Sequence, residues 1–215
     1  MSLLVKICGI NSRIAAEAAV RYGADFGGLV FYPHSPRNLS LAEGRELAGI
    51  LRGHLRIVAL VADASDDFIG EVVNALRPDF VQLHGSEDAD RVGEVRAKFK
   101  VHVIKAVPIS GEDDFAKVPD LMQASDMLLF DAKAPPHAVR PGGNSTAFDW
   151  KLMRARNISR PWILAGGLTA KNVGRAAVES GARYVDVSSG VESTPGNKDP
   201  NLIADFITAA RKLTI

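Results

Sequence analysis

The sequence holds one cysteine among its 215 residues, Cys8, so no disulfide can form within the chain. A lone thiol fits a reducing compartment. Neither sign of charge is in excess: 26 Lys plus Arg against 25 Asp plus Glu leave a formal +1. A nucleic-acid or membrane-surface role has no bulk electrostatic support. No apolar run reaches the length that spans a bilayer. The apolar amino terminus lacks a basic leader, is interrupted by Lys6 and precedes no small-residue cleavage pattern. We therefore expect a soluble, cytoplasmic protein. His84 and His102 have no metal-ligand spacing and Cys8 no partner cysteine, so a zinc site is not expected. A Gly-x-Gly-x-x-Gly fingerprint is also missing after the first apolar run, which weakens a dinucleotide-binding reading.

What is present is alternation. Short β-branched runs recur at Val5–Cys8, Phe26–Phe31, Arg56–Val61, Asp79–Leu83, Val101–Val107, Asp126–Phe130, Trp162–Ala165 and Tyr184–Val187. Between them, apolar residues take helical spacing behind start signals at Asn11, Ser40 (with Glu43 completing a capping box), Ser65, Ser86, Thr169 and Asp199-Pro200. The segments Asp113–Ala124, interrupted by Pro119, and Asp149–Arg156 are weaker. Strand-then-helix units in series imply a parallel sheet with right-handed crossovers. Compact spacing of eight such units favours a closed (β/α)8 TIM barrel over an open doubly wound sheet. No linker or charge block marks a boundary, so residues 1–215 are expected to form a single barrel domain.

Unusual polar residues collect at the carboxyl ends of these strands: Cys8, Arg37, Asp63, His84, Asp131, Gly166-Gly167 and Ser188-Ser189-Gly190. In a barrel those ends form the rim where active sites are built, with a recurrent phosphate site after strands seven and eight. Gly166-Gly167 or Ser188-Ser189-Gly190 alone is as readily an ordinary turn, but the pair in these two units favours phosphate. Asp131 ends an apolar strand and suits a general acid, although an isolated Asp is more often a cap or an ion-pair partner. Arg37 offers a fork for a carboxylate, with a solvated surface arginine as the plain alternative. His84 can orient a ligand group or simply bond a backbone carbonyl. Cys8 before context is a small buried hydrophobe. Across the rim from Asp131, its thiol becomes a usable base once a nearby charge or dipole lowers its ordinary pKa of about 8.5. Acid facing base suits a proton-transfer isomerisation.

The longest candidate loop, Ala132 to Ala147, carries Pro135, Pro136, Pro141, Gly142 and Gly143 and has the length of a lid. Strand alternation places Lys6 on the face of Cys8, and Asp186 on the face of Ser188 in the neighbouring strand. An inward Lys6–Asp186 pair is expected beneath the site.

The segments Lys6-Ile7-Cys8-Gly9, Ser35-Pro36-Arg37, Val81-Gln82-Leu83-His84-Gly85, Phe130-Asp131, Pro141-Gly142-Gly143, Phe148-Asp149-Trp150, Ala165-Gly166-Gly167-Leu168 and Asp186-Val187-Ser188-Ser189-Gly190-Val191-Glu192 resemble the phosphoribosylanthranilate isomerase family of tryptophan biosynthesis. The resemblance spans nearly the whole chain. It implies an Amadori rearrangement of N-(5-phosphoribosyl)anthranilate, a small sugar-phosphate substrate, with no cofactor and no metal. By the same resemblance Asp131 matches the general acid, Cys8 the general base and Arg37 the residue that binds the anthranilate carboxylate. Gly166, Gly167, Ser188, Ser189 and Gly190 match the phosphate clamp, and His84, Gly142, Gly143 and Asp186 complete the expected pocket. The sequence departs from many relatives at Asn144-Ser145-Thr146-Ala147, where they continue Thr-Gly-Lys-Thr, so a contact from the lid lysine does not carry over. Two rival readings are a histidine-pathway or dual-substrate isomerase and a non-catalytic sugar-phosphate-binding barrel. The former place an aspartate where Cys8 stands; the latter need not keep Cys8, Arg37 and Asp131 together. Nothing in the sequence sets the oligomeric state.

Overall fold

The computed structural model describes residues 2–133, 147–154 and 156–213. Strands β1 (Leu4–Cys8), β2 (Phe26–Val30), β3 (Arg56–Val61), β4 (Phe80–Leu83), β5 (His102–Ile109), β6 (Met127–Ala132), β7 (Trp162–Leu164) and β8 (Tyr184–Val187) pair in sequence order. All pairings are parallel, and β8 closes on β1 with Lys6 opposite Asp186. The expected TIM barrel is thus the observed one. Helices α1 (Arg13–Arg21), α2 (Leu41–Leu51), α3 (Asp66–Leu76), α4 (Ala89–Phe99), α5 (Val118–Ala124), α6 (Val173–Ser180) and α7 (Pro200–Arg211) form the outer layer. Among the described residues, no helix is long and apolar enough to cross a membrane.

Several starts follow the sequence signals. Ser40 and Glu43 complete their capping box on α2, Ser65 caps α3, and Asp199 caps α7 with Pro200 in the first turn. Pro119 does not break its segment: a 3-10 turn at Glu112–Lys117 leads into α5, whose first turn accepts the proline because no N–H is needed there. Three expected starts are displaced. Ser12, not Asn11, caps α1, while Asn11 Nδ2 donates to the Gly196 carbonyl at 2.7 Å. Asp88, not Ser86, caps α4, and Asn172, not Thr169, precedes α6. The inner face of α1 is built from small residues. Ala15, Ala16, Ala18 and Ala19 are buried, whereas Ile14 is 65% exposed. Small residues let this helix sit close to the barrel, and the larger apolar groups turn outward.

Three aspartates staple the strands in pairs. Val5 N–H donates to Asp25 Oδ2 at 2.7 Å, Ile57 N–H to Asp79 Oδ2 at 2.7 Å and Val103 N–H to Asp126 Oδ2 at 2.9 Å. Each aspartate directly precedes or lies one residue before an even-numbered strand and holds the odd strand before it. Each such bond contributes about 1 kcal/mol net. Arg211 of α7 reaches the Leu3 and Gly23 carbonyls and Asp25, fastening the last helix across the closure of the ring.

Inside the ring, inward side chains stack in layers drawn from alternate strands. Phe26, Phe80 and Tyr184 make an aromatic floor, with ring centroids 6.0 and 6.3 Å from Phe26. Val58, Ile104, Met127, Leu129 and Ile163 fill the middle. Buried Lys6, Gln82 and Asp186, on β1, β4 and β8, interrupt this apolar pattern. Buried charge and amide groups are costly unless partnered.

Candidate active site

The carboxyl ends of β6, β7 and β8 meet around one pocket, lined among others by Asp131, Gly166, Gly167, Asp186, Ser188, Ser189 and Gly190. The β7 loop turns through Gly166 (φ 87°) and Gly167 (φ 62°), left-handed values that side chains resist. A Cβ at Gly190 would lie 1.9 Å from the Leu168 carbonyl oxygen, so the β8 loop can press against the β7 loop only as glycine. The result is a concave backbone surface, the kind on which N–H groups approach an anion. No long helix begins directly at either loop. Asn172 closes the β7 loop by donating to the Gly167 carbonyl at 2.9 Å and accepting from Thr169 N–H at 2.8 Å. After β8 comes a 3-10 turn, Ser189–Val191, followed by a hairpin the sequence does not announce: β9 (Glu192–Thr194) and β10 (Asn197–Lys198).

Asp131 is buried at the edge of this pocket. Its Oδ1 accepts from Ala132 N–H at 2.9 Å, and its Oδ2 lies 3.4 Å from His84 Nε2. His84, expected either to orient a ligand group or to bond a backbone carbonyl, is a neighbour of Asp131. Its other ring nitrogen is 2.8 Å from the amide nitrogen of Gln82.

Cys8 is the last residue of β1, 5% exposed and packed beside Leu60 and Val30. Gly28 opposite it leaves the thiol its space: a Cβ there would be 3.1 Å from Sγ. The expected pair exists, with Lys6 Nζ donating to Asp186 Oδ1 at 2.9 Å, both buried. Burial works against the Lys6 charge, but Asp186 and Cys8 more than offset it and raise the lysine pKa. The thiol itself departs from the expectation. Burial pushes the Cys8 pKa up, Asp186 adds to the rise, and the nearby Lys6 and Lys198 charges oppose it without reversing it.

Arg37 is not a free fork. Its Nε donates to Glu192 Oε1 at 2.6 Å and its Nη2 to Glu192 Oε2 at 2.8 Å; the Nη1 amino group takes no part in that pairing. Glu192 also accepts from Lys198 Nζ at 2.6 Å and from Gly196 N–H at 3.1 Å. Lys198 in turn donates to the Ser188 carbonyl at 3.0 Å, tying the hairpin to the pocket loop. Burial raises the Glu192 pKa, and the two cations bring it below the usual carboxylate range. Burial holds the Lys198 pKa below the ordinary lysine value. Glu192 and Lys198 escaped sequence reasoning as site residues. Their signal was two charges flanking Pro195-Gly196 close behind the pocket loop. Gly142 and Gly143 lie outside the described residues, as does most of the lid segment that contains them.

Glu192→Gln leaves Arg37 and Lys198 buried without their anion. We expect this variant to lose about 3 kcal/mol or more of unfolding free energy, read by urea denaturation at neutral pH. Because the folded pKa of Glu192 is depressed, its contribution is present above the unfolded carboxylate pKa and lost as pH falls through the folded one. The gap between wild type and variant should therefore narrow in acid. A gap independent of pH would contradict the assigned pairing.

With this geometry in hand, the comparisons with known proteins are direct. The family model described as N-(5'-phosphoribosyl)anthranilate (PRA) isomerase matches residues 5–209. An N-(5'-phosphoribosyl)anthranilate isomerase of Rhodopseudomonas palustris (strain BisA53) is 47% identical over 211 residues, 98% of this chain and 97% of the relative. The chain belongs to the N-(5'-phosphoribosyl)anthranilate isomerase family. It is an isomerase. A second relative, from Cereibacter sphaeroides (strain ATCC 17029 / ATH 2.4.9), is 48% identical over 207 residues, covering 96% of this chain and 98% of the relative. The phosphoribosyl anthranilate isomerase of Thermotoga maritima superposes with a TM-score of 0.89 at 35% identity, over 98% of this chain and all of that one. A phosphoribosyl anthranilate isomerase solved with reduced 1-(o-carboxyphenylamino)-1-deoxyribulose 5-phosphate superposes with a TM-score of 0.85 at 33% identity, again over 98% and 100% of the two chains.

Proposed function

We propose that the protein rearranges N-(5'-phosphoribosyl)anthranilate to 1-(2-carboxyphenylamino)-1-deoxyribulose 5-phosphate in tryptophan biosynthesis, with Asp131 as general acid and Cys8 as general base. One observation carries the reading: a carboxylate and two mutually packed glycine loops share a pocket at the strand ends, and Cys8, the last residue of β1, feels the charge of Asp186 in that pocket's lining. The phosphate end of the substrate fits the surface of Gly166, Gly167, Ser188, Ser189 and Gly190. Lys198 supports that orientation, since its Nζ reaches the Ser188 carbonyl at 3.0 Å and sets a cation against the β8 loop. The anthranilate carboxylate goes to the Nη1 side of Arg37, the edge that Glu192 leaves open. His84 and Asp186 complete the polar wall.

The chemistry follows in two proton transfers. Asp131 gives its proton to the ribose ring oxygen as the bond from that oxygen to C1' breaks. The anthranilate nitrogen supplies the electron pair that closes the C1'=N bond, so a protonated Schiff base forms. The Cys8 thiolate then takes the C2' proton, and the freed pair makes the enolamine and neutralises the nitrogen. Tautomerisation to the ketone moves the hydroxyl proton and protonates C1'. The substrate's own nitrogen is the electron sink, so the sequence of steps calls on no cofactor. Burial disfavours the thiolate in the free enzyme. The cation created in the first step is adjacent to it and favours it electrostatically, so the base is strongest once it has something to do.

The test is direct. Purified protein mixed with the anthranilate adduct should extinguish its fluorescence, and the histidine-pathway substrate should not turn over. A correctly folded barrel that leaves the adduct fluorescence unchanged would favour a binding-only role.

A further inference from the structure

We propose that Gln82 is a positioning residue for the reaction: its buried amide holds His84 in the one neutral tautomer that presents Nε2–H to Asp131. The inference rests on the reading of Asp131 as the acid.

Gln82 is fully buried in β4, where an apolar residue of the same length would pack at no electrostatic cost. Its Nε2 is 2.8 Å from His84 Nδ1, and its Oε1 is buried with no hydrogen-bond partner. A buried carbonyl without a partner costs about 1–3 kcal/mol. A group kept at that cost, two residues along the same face from His84, points to a role in orienting it.

The tautomer follows from the donors. The amide NH2 can only donate, so Nδ1 must be bare and the ring proton must sit on Nε2. Nε2 lies 3.4 Å from Asp131 Oδ2, while Ala132 N–H holds Oδ1. The opposite amide orientation would put the ring proton on Nδ1, and a bare Nε2 would then accept the acidic proton of Asp131 and hold it back from the substrate. The arrangement with Nε2–H leaves that proton free for transfer. Once Asp131 has given up its proton, Ala132 N–H holds its Oδ1 and the Nε2–H edge of His84 lies beside its Oδ2, which favours the carboxylate in that position. Gln82 touches no substrate and acts through His84.

The experiment is 15N NMR of imidazole-labelled protein, with the His84 signals identified by their loss in His84→Gln, together with steady-state kinetics. In the wild type His84 should show a protonated Nε2 and a bare Nδ1. Gln82→Met should leave both tautomers populated and lower kcat about tenfold, with KM little changed, the scale on which groups that orient a functional ring act. Gln82→Glu, whose carboxylate accepts from Nδ1–H, should protonate Nδ1, so that the ring no longer holds the single wild-type form, and lower kcat further. A wild-type His84 protonated on Nδ1 overturns the proposal even if neither variant folds. Unchanged kcat and tautomer in Gln82→Met overturn it as well. Failure of the underlying reading is separately visible: Asp131→Asn would then turn over normally whatever the tautomer.

Discussion

Asp131→Asn should lower kcat by about a thousandfold or more, the upper range for a positioned general acid, with far-UV circular dichroism and melting unchanged. The substitution is isosteric and retains an oxygen to accept from Ala132 N–H, so the rim geometry survives. What disappears is the acidic proton. Opening the furanose ring without it requires expulsion of an alkoxide, and neither Ala132 N–H nor the ring of His84 replaces a full proton transfer. The neighbours of Asp131 argue against a purely structural role, since neither forms a buried ion pair that its loss would orphan. Near-normal turnover would remove Asp131 as the acid.

Cys8→Ser should depress kcat by roughly a thousandfold as well, again in a folded barrel. A hydroxyl occupies less space than the thiol against Gly28, so no clash arises. It remains almost wholly protonated where a thiol ionises, so the base is lost and the fold is not. The pH dependence separates the two carriers. A base must be deprotonated to act, so in the wild type kcat/KM, which reports the free enzyme, should climb with pH into the range above an ordinary thiol, because burial raises the Cys8 pKa. The kcat profile should rise at lower pH, because the Schiff-base cation stands beside the thiolate in the complex. Cys8→Ser should lack both rises. Identical profiles in variant and wild type would point to another base.

Much of this was legible in the chain, for physical reasons. Period-two and period-3.6 patterns report which side of an element is buried, and in a barrel nearly every element has a buried side. Strands therefore emerged in number and place, and closure of the ring made Lys6 and Asp186 neighbours before any coordinates did. Capping at Ser40 and Asp199 was readable because it is settled within one turn of chain. Elsewhere competition among adjacent polar residues decided the outcome. Ser86 is drawn to Asp63, leaving Asp88 to cap α4. Ala-rich α1 turned its larger apolar side chains outward, which a count of apolar positions does not reveal. The deepest omission concerns Arg37. Its partner Glu192 lies 155 residues away in a hairpin too short to carry any periodicity. Gln82 was likewise one polar residue in a strand until His84 and Asp131 were seen beside it.

The central claim is a division of labour, with ring opening assigned to Asp131 and proton abstraction to Cys8. Single-turnover kinetics with substrate deuterated at C2' tests it most directly. Proton abstraction should limit Cys8→Ser, which should show a pronounced primary isotope effect. Ring opening should limit Asp131→Asn, which should show essentially none. An equal isotope effect in both variants, or one confined to Asp131→Asn, would contradict the account.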